Sequence, residues 1–162
     1  MIIGVLKEPS PETRVSLLPE HITTLKKWNV EVLVETGAGI AAFAADEKYI
    51  GAGALIKSRN EVLQNSNLLL TINSPEKPEI INLNKKILLG IFQPLINTRV
   101  MQDFAENGLT VFSMDRLPRT TRAQSMDVLS SQANIAGYKA VLLAANLFPK
   151  YFPMFMTAAG SI

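Results

Sequence analysis

Residues 114–145, MDRLPRTTRAQSMDVLSSQANIAGYKAVLLAA, begin as a polar segment and end as an apolar helix. Three of the six arginines of the chain fall within seven residues here, and amides, hydroxyls and a carboxylate follow them. No other stretch is as dense in hydrogen-bonding side chains, so we expect a polar ligand to bind at this segment. These side chains are Arg116, Arg119, Arg122, Gln124, Asp127, Ser130, Ser131, Gln132 and Asn134.

The composition is that of an ordinary soluble globular protein. The 162 residues are enough for one domain with a sizeable core, and 48% of them are hydrophobic. A net charge of +2 is too small to indicate the clustered basic face of a nucleic-acid-binding protein. Cysteine is absent, which excludes a disulfide framework and thiol chemistry.

Ahead of the polar segment, short runs rich in Ile, Val and Leu alternate with helical patterns. This alternation predicts an α/β fold with a mostly parallel sheet and helices on both faces, of flavodoxin-like or Rossmann-like type, over residues 1–127. Ligands of such sheets bind beyond the carboxyl ends of the strands, and the polar segment follows a predicted strand directly. The predicted strands are 1–6, 30–34, 54–56, 67–72, 87–92 and 109–112, with helices after Pro19 and within 46–49, 58–63, 74–84 and 97–108.

Local signals predict where several helices begin and end. Pro19 suits a first helical position, and Asn29 suits a left-handed stop. Ser58 and the glutamate three residues later have the spacing of a capping box. Asn97 is expected to cap the helix that Gly108 ends.

The segment 128–147 is apolar around most of its circumference, which predicts a helix enclosed by this domain or by a second one. The apolar tail that follows, YFPMFMTAAGSI, is expected to meet further sequence or a partner. We therefore divide the chain into 1–127 and a long helix with its tail, 128–162.

Three other features have structural interpretations. Gly37, Gly39 and Ala42 superficially match a dinucleotide fingerprint, but the acidic residues come too soon and the later region 56–59 is basic, so we expect a turn. His21 is expected to be a solvated surface residue rather than a metal ligand. For Lys7, Glu8, Glu12 and Arg14 we expect a solvated ion-pair loop.

The polar segment itself leaves two interpretations open. Ser125 or Asp127 could cap the following helix while the arginines solvate the loop. Alternatively, an arginine and the amides could grip a planar carboxamide or carboxylate. The residue types alone favour neither interpretation.

Three segments carry a resemblance to a known family over the whole chain. They are GVLKEPSPETRVSLLPE (4–20), VETGAGIAAFAADEKYIGAGA (34–54) and PRTTRAQSMDVLSSQANIAGYKAV (118–141). In these segments the chain resembles the N-terminal part of the NAD(H)-binding alpha component of proton-translocating NAD(P) transhydrogenase, a relative of alanine dehydrogenase. The third segment is the most specific of the three.

The resemblance implies roles for the polar segment as a loop over the nicotinamide ring of NAD(H). Arg119, Asp127 and Ser130 would hold the carboxamide side of the ring. Gln124 would reach toward NADP(H) on a separate component, and Arg122 is a further candidate inside the loop. Alanine dehydrogenase shares a lysine and an arginine with the first of these segments, but it also needs a lysine in the loop 73–75 and a histidine in the loop 93–94, and this chain has neither.

The resemblance also implies what the chain works with. In the family a GxGxxG domain follows and grips most of NAD(H), so we expect this chain to be truncated before it and inactive alone. The expected partners are that NAD-binding domain, the NADP(H)-binding and membrane components, and a second copy in a homodimer, with no metal and no nucleic acid. The expected location is cytoplasmic, peripheral to the inner membrane through the partner subunits.

Overall fold

The computed structural model describes residues 1–150 and 156–161, and the chain forms two compact units, Met1–Pro118 and Arg119–Ile162. The first unit alternates strands and helices throughout, as the sequence predicts. Its strands are β1 Ile2–Val5, β2 Glu31–Glu35, β3 Leu55–Lys57, β4 Leu68–Leu70, β5 Ile87–Gly90 and β6 Thr110–Ser113. Its helices are α1 Pro19–Lys27, α2 Asp46–Ala52, α3 Arg59–Asn65, α4 Lys77–Leu83 and α5 Thr98–Glu106.

The six strands form one parallel sheet in the order β3-β2-β1-β4-β5-β6. The chain first builds outward from β1 to β3 and then returns to build outward from β4 to β6. The strand order therefore reverses between β1 and β4, which is the topological switch point of the sheet. This architecture confirms the predicted fold class.

Alternating residues of the central strands enter two separate cores, one on each face of the sheet. Ile3 and Val5 of β1 pack with α1 and α2, whereas Leu69 of β4 packs with α3, α4 and α5. A parallel strand covered on both faces has no solvated side, which explains why these strands are apolar at consecutive positions rather than at every second one.

Most of the local helix signals are confirmed. Helix α1 begins at Pro19, and Asn29 has a φ of 55° just beyond its end. Ser58 and its partner glutamate form the expected capping box on α3. Asn97 does occupy the N-cap position of α5, but the predicted capping bond is absent from its side chain. Its Nδ2 instead donates to the Phe92 carbonyl oxygen at 3.0 Å.

The second unit contains helix α6, Val128–Leu147, and an antiparallel pair, β7 Met156–Thr157 and β8 Gly160–Ser161. Among the residues that the structure describes, none of α6 is buried, and the enclosure expected for this helix, by this domain or by a second one, stays a prediction. Within the described residues, no helix combines the length and the apolarity that a membrane span requires. The predicted apolar tail includes residues 151–155 and 162, which lie outside the described residues, and the division at residue 127 stays a prediction.

Replacement of Gly4 tests how closely α3 approaches the sheet. A Cβ at this position would lie 2.7 Å from Val62 Cγ1, 2.8 Å from Leu69 Cδ2 and in collision with the Ser66 hydroxyl. We expect Gly4→Ala to lower the free energy of unfolding by ~1–3 kcal/mol, measured by urea denaturation. Gly51→Ala is the control, because nothing lies within 4 Å of its added Cβ. An unchanged stability of Gly4→Ala would contradict the close contact.

Candidate functional site

Most side chains of the polar segment belong to the second unit, where they lie in the turn before α6 and in the first turns of that helix. Residues Thr121–Met126 form a 3₁₀ turn, in which Ala123 is buried and the other side chains are exposed or partly exposed. Arg119 precedes this turn, while Arg122 and Gln124 lie within it, and all three side chains are exposed. Ala123 is thus the buried residue of the turn, and the polar side chains beside it are open to solvent.

Asp127 and Ser130 are brought together by the helix they begin. Asp127 occupies the N-cap of α6, where its Oδ1 accepts a hydrogen bond from the Ser130 backbone nitrogen at 3.0 Å. Its Oδ2 accepts a second bond from the Ser130 hydroxyl at 2.7 Å. Of the two capping candidates, Ser125 and Asp127, the structure selects Asp127.

These bonds keep Asp127 ionised. The bonds from Ser130 lower the pKa of the Asp127 carboxyl, and the positive charge of Arg119 lowers it further. The segment therefore carries an acceptor group beside a guanidinium charge. The structure brings Asp127, Ser130 and Arg119 into one neighbourhood, and it leaves Arg122 and Gln124 on the exposed turn.

A second polar site lies in the first unit at the switch point. A cavity of about 310 Å³ opens beyond the carboxyl ends of β1, β2 and β4, where ligands of doubly wound sheets commonly bind. Charged side chains dominate its walls. The lining residues that carry charge are Lys7, Glu8, Glu35, Arg59, Glu76 and Glu79.

Glu8 has a different role in the structure from the one that the sequence predicts. The prediction of a solvated loop is wrong for this residue, because its side chain is buried and three nitrogens donate to it. The Ile72 backbone nitrogen donates to Oε1 at 2.6 Å, and the Asn73 backbone and side-chain nitrogens donate to Oε2 at 2.9 and 3.0 Å. Such bonds compensate a buried carboxylate for its lost water.

The rest of that loop forms the predicted ion pair, and Lys7 and Arg14 are exposed as expected, whereas Glu12 is only partly exposed. In the pair, Arg14 Nη2 lies 2.6 Å from Glu12 Oε2. The hydrogen bonds and charge of Arg14 lower the pKa of Glu12 to about 2. This pair joins two residues of the same loop, since the Arg14 backbone nitrogen also donates to Glu12 Oε1 at 2.9 Å.

Arg59 links three elements around the cavity, and the sequence interpretation missed it. Its Nη1 donates to Glu35 Oε2 at 2.8 Å and to the Lys7 carbonyl oxygen at 3.1 Å, and its Nε and Nη2 donate to the Glu79 carboxylate. The hydrogen bonds with Glu79 raise the pKa of Arg59 and lower that of Glu79. The sequence contained a pattern that could have predicted this ion pair, because charges of opposite sign lie at the carboxyl ends of the neighbouring strands β2 and β3.

The glycine motif at residues 37–42 and His21 have the structural roles that the sequence predicts. Gly37 has a φ of +72°, and a 3₁₀ turn at Ile40–Ala42 follows it in place of the long helix of a dinucleotide fingerprint. His21 is exposed, with Nε2 3.7 Å from a carboxylate oxygen of Glu20. Among the described residues, no three acidic, histidine or cysteine side chains are grouped as metal ligands would be.

Comparison with known families identifies this architecture. The family model described as alanine dehydrogenase/PNT, N-terminal domain, matches residues 4–136. This chain belongs to that family. The match to the alanine dehydrogenase/PNT N-terminal domain begins within β1, includes β2 to β6 and ends within α6.

Individual relatives agree with the family assignment. The chain is 38% identical to NAD(P) transhydrogenase subunit alpha of Cereibacter sphaeroides over 153 residues, which cover 93% of this chain and 29% of that protein. It is 27% identical to alanine dehydrogenase of Bacillus subtilis, over 93% of this chain and 39% of the relative. The crystal structure of transhydrogenase from Sinorhizobium meliloti matches all of the chain with a TM-score of 0.90 and 39% identity, over 49% of that structure. The chain therefore spans less than half the length of these relatives.

Two glutamates of the loop after β1 provide a matched test of the cavity wall. In Glu8→Gln an amide NH₂ would face at least one donor nitrogen, so we expect a loss of ~1–3 kcal/mol in the free energy of unfolding. Glu12→Gln should cost less than about 1 kcal/mol, because its partner Arg14 is exposed and the pair lies within one surface loop. Chemical denaturation at neutral pH measures both. Equal losses for the two variants would contradict the burial of Glu8.

Proposed function

We propose that this chain is the N-terminal part of the NAD(H)-binding alpha component of a proton-translocating NAD(P) transhydrogenase. In this proposal it positions the nicotinamide ring of NAD(H) for hydride transfer to NADP⁺. The main support is the 38% identity with NAD(P) transhydrogenase subunit alpha over 93% of the chain. Residues 1–127 would be the N-terminal domain, and 128–162 would lead toward a domain that holds most of NAD(H).

The proposed roles follow the residues of the polar segment. Arg119, Asp127 and Ser130 hold the carboxamide side of the nicotinamide, and Gln124 reaches toward NADP(H). Arg122 is a further cofactor-binding candidate on the same turn. Arg119, Arg122 and Gln124 are exposed, which suits groups that close over a ligand.

Positioning is the contribution that the reaction needs from such a loop. Hydride transfer between two nicotinamides requires the rings face to face at near-contact distance with water excluded, and the cofactors supply the chemistry. The protein then acts by holding each ring in place. Donors and acceptors that grip the carboxamide are sufficient for this role, and no acid or base has to be assigned.

Alanine dehydrogenase is the competing function within the same family. Its substrate lysine and histidine have no counterpart here, where Asn73 and Gln93 stand in the corresponding loops. The backbone and side-chain nitrogens of Asn73 donate hydrogen bonds to the Glu8 carboxylate. The backbone N–H of Gln93 donates to Asp115 Oδ1 at 3.4 Å. Without an imidazole near Gln93, a keto acid has no proton donor of the usual kind, so transhydrogenase is the better assignment.

The proposed partners follow from the assignment. They are the NAD-binding domain of the same subunit, the NADP(H)-binding component and the membrane component, and a second copy of the alpha subunit. The chain would lie on the cytoplasmic side, peripheral to the inner membrane through these subunits. In this proposal the NAD-binding domain of the same subunit holds most of NAD(H), so residues 1–162 by themselves would be inactive.

A fusion tests the proposed function. In the fusion, Ile162 is followed by the segment of the Sinorhizobium meliloti transhydrogenase that lies outside the match with this chain. NADH is titrated into the isolated chain, into that segment alone and into the fusion. We expect the fusion to bind NADH about tenfold more tightly than the unmatched segment alone, equivalent to ~1.4 kcal/mol. Arg119→Ala should abolish this gain and Arg116→Ala should keep it. A fusion that gains nothing would favour an assembly module without a cofactor.

Replacement of Gln124 tests the ring-to-ring contact. Gln124→Asn shortens the side chain by one methylene, so we expect hydride transfer to slow by about 100-fold while NADH binding changes by less than about threefold. Single-turnover kinetics of the fusion with the NADP(H)-binding component measure the first quantity, and NADH titration measures the second. Gln64→Asn, on the exposed surface of α3, is the control. Equal losses in rate and in binding would count against this role.

A further inference from the structure

The cavity at the switch point carries more carboxylates than cations, and the proposed function does not use it. Among its described lining residues, four are glutamates and two are basic. A wall of this charge attracts cations and repels anions, and the lower dielectric of a partly enclosed site strengthens both effects. The ligand that fits therefore depends on which charged groups remain once the ion pairs within the wall are formed.

Arg59 is neutralised within the wall. Its guanidinium forms ion pairs with Glu35 and Glu79. With the bond to the Lys7 carbonyl oxygen, four of its five N–H groups are used. One cation is thus shared between two carboxylates, which leaves an excess of negative charge. A ligand carboxylate would have to compete with both glutamates for this guanidinium.

Glu8 adds a buried negative charge that no ion pair neutralises. The three nitrogens of Ile72 and Asn73 that donate to its carboxylate belong to uncharged amides. None of the ion pairs in the described part of the chain includes Glu8. The charge of Glu8 acts on Arg14 electrostatically, but the ion pair of Arg14 is with Glu12. Because buried charges in proteins are generally paired, a cation in the cavity would complete the site around Glu8.

Glu35 provides a second buried acceptor in the same wall. Its Oε2 accepts from the Lys7 backbone nitrogen and from Arg59 Nη1, each at 2.8 Å. Between residues that the structure describes, no hydrogen bond reaches Glu35 Oε1. The side chain is buried and lines the cavity. A buried carboxylate oxygen requires a donor, and a ligand in the cavity would supply it.

Two exposed charges complete the lining. Glu76 and Lys7 are both exposed, and neither belongs to an ion pair in the described part of the chain. The Glu76 carboxylate favours a cationic ligand, and the Lys7 ammonium opposes it. The volume of about 310 Å³ lies at the lower end of the range in which small molecules bind, about 300–1,000 Å³.

We propose that this cavity binds a small organic cation, an aliphatic ammonium or guanidinium compound that carries no carboxylate. Its N–H donors bind Glu35 Oε1 and the Glu76 carboxylate, and its positive charge compensates the buried Glu8. A ligand with separated donors fits these positions better than one metal ion, because the described carboxylates are not grouped as metal ligands. This inference does not rest on the proposed function, since the cavity lies entirely within the first unit.

The test titrates agmatine and arginine into the ¹⁵N-labelled chain and follows binding by nuclear magnetic resonance. Both compounds carry a guanidinium and an ammonium, and only arginine carries a carboxylate. We expect agmatine to bind with a dissociation constant of about 1 mM or lower and arginine at least about fivefold more weakly, because its carboxylate meets the excess of glutamates. The amide signals of Ile72 and Asn73, which donate to Glu8, should shift with agmatine.

Four variants of the chain test the assigned groups. Glu35→Gln keeps one oxygen for its two protein donors and turns an NH₂ group toward the ligand, so agmatine should bind at least about tenfold more weakly. Glu76→Gln should weaken agmatine about two- to fivefold and Lys7→Met should strengthen it by a similar factor, because both charges are exposed. Glu31→Gln is the matched control, since Glu31 is exposed at the opposite end of the same strand as Glu35.

Three outcomes would overturn the cation site. The first is no shift of the Ile72 and Asn73 amides with agmatine up to about 10 mM, roughly ten times the expected dissociation constant. The second is binding of arginine as tight as that of agmatine. The third is an equal loss of agmatine binding in Glu31→Gln and Glu76→Gln, which would indicate general attraction to a charged surface. Because Glu76 and Lys7 are exposed, their variants decide the outcome even if Glu35→Gln fails to fold.

Discussion

The buried carboxylate of Glu8 has to be surrounded by hydrogen-bond donors, and the loop after β4 supplies them from Ile72 and Asn73. This requirement ties the ends of β1 and β4 together at the point where the strand order reverses. Arg59 then connects the neighbouring strand end to α4 through Glu35 and Glu79. The loops around the cavity are thus held by charges that would be costly to bury without these partners.

In the second unit, the start of α6 also requires hydrogen-bond partners for polar groups. A helix leaves its first N–H groups without partners, and Asp127 satisfies one of them while it orders the Ser130 hydroxyl. The two interpretations that the sequence left open are therefore compatible, because a capping carboxylate retains lone pairs for a ligand. In the proposed function the cap and the nicotinamide contact are the same pair of side chains.

Patterns of neighbouring residues were sufficient for much of the fold. The apolar runs predicted six strands, and local chemistry predicted the start of α1 at Pro19, its left-handed stop at Asn29 and the capping box at Ser58. The errors concern side chains with partners elsewhere. Asn97 bonds to the Phe92 carbonyl rather than capping α5, and Glu8 is buried because residues more than sixty positions away meet it.

The sequence by itself determined the α/β class, the alternation of elements and the polar segment before α6, because each depends on residues within a few positions of one another. Only the tertiary structure decided which charges are buried and which are solvated. Glu8 and Glu12 lie four positions apart in one loop, yet the first is enclosed by donors from the loop after β4 and the second is partly exposed and pairs with the exposed Arg14. Burial is a property of the packed strands, and no local pattern encodes which strand ends will become neighbours.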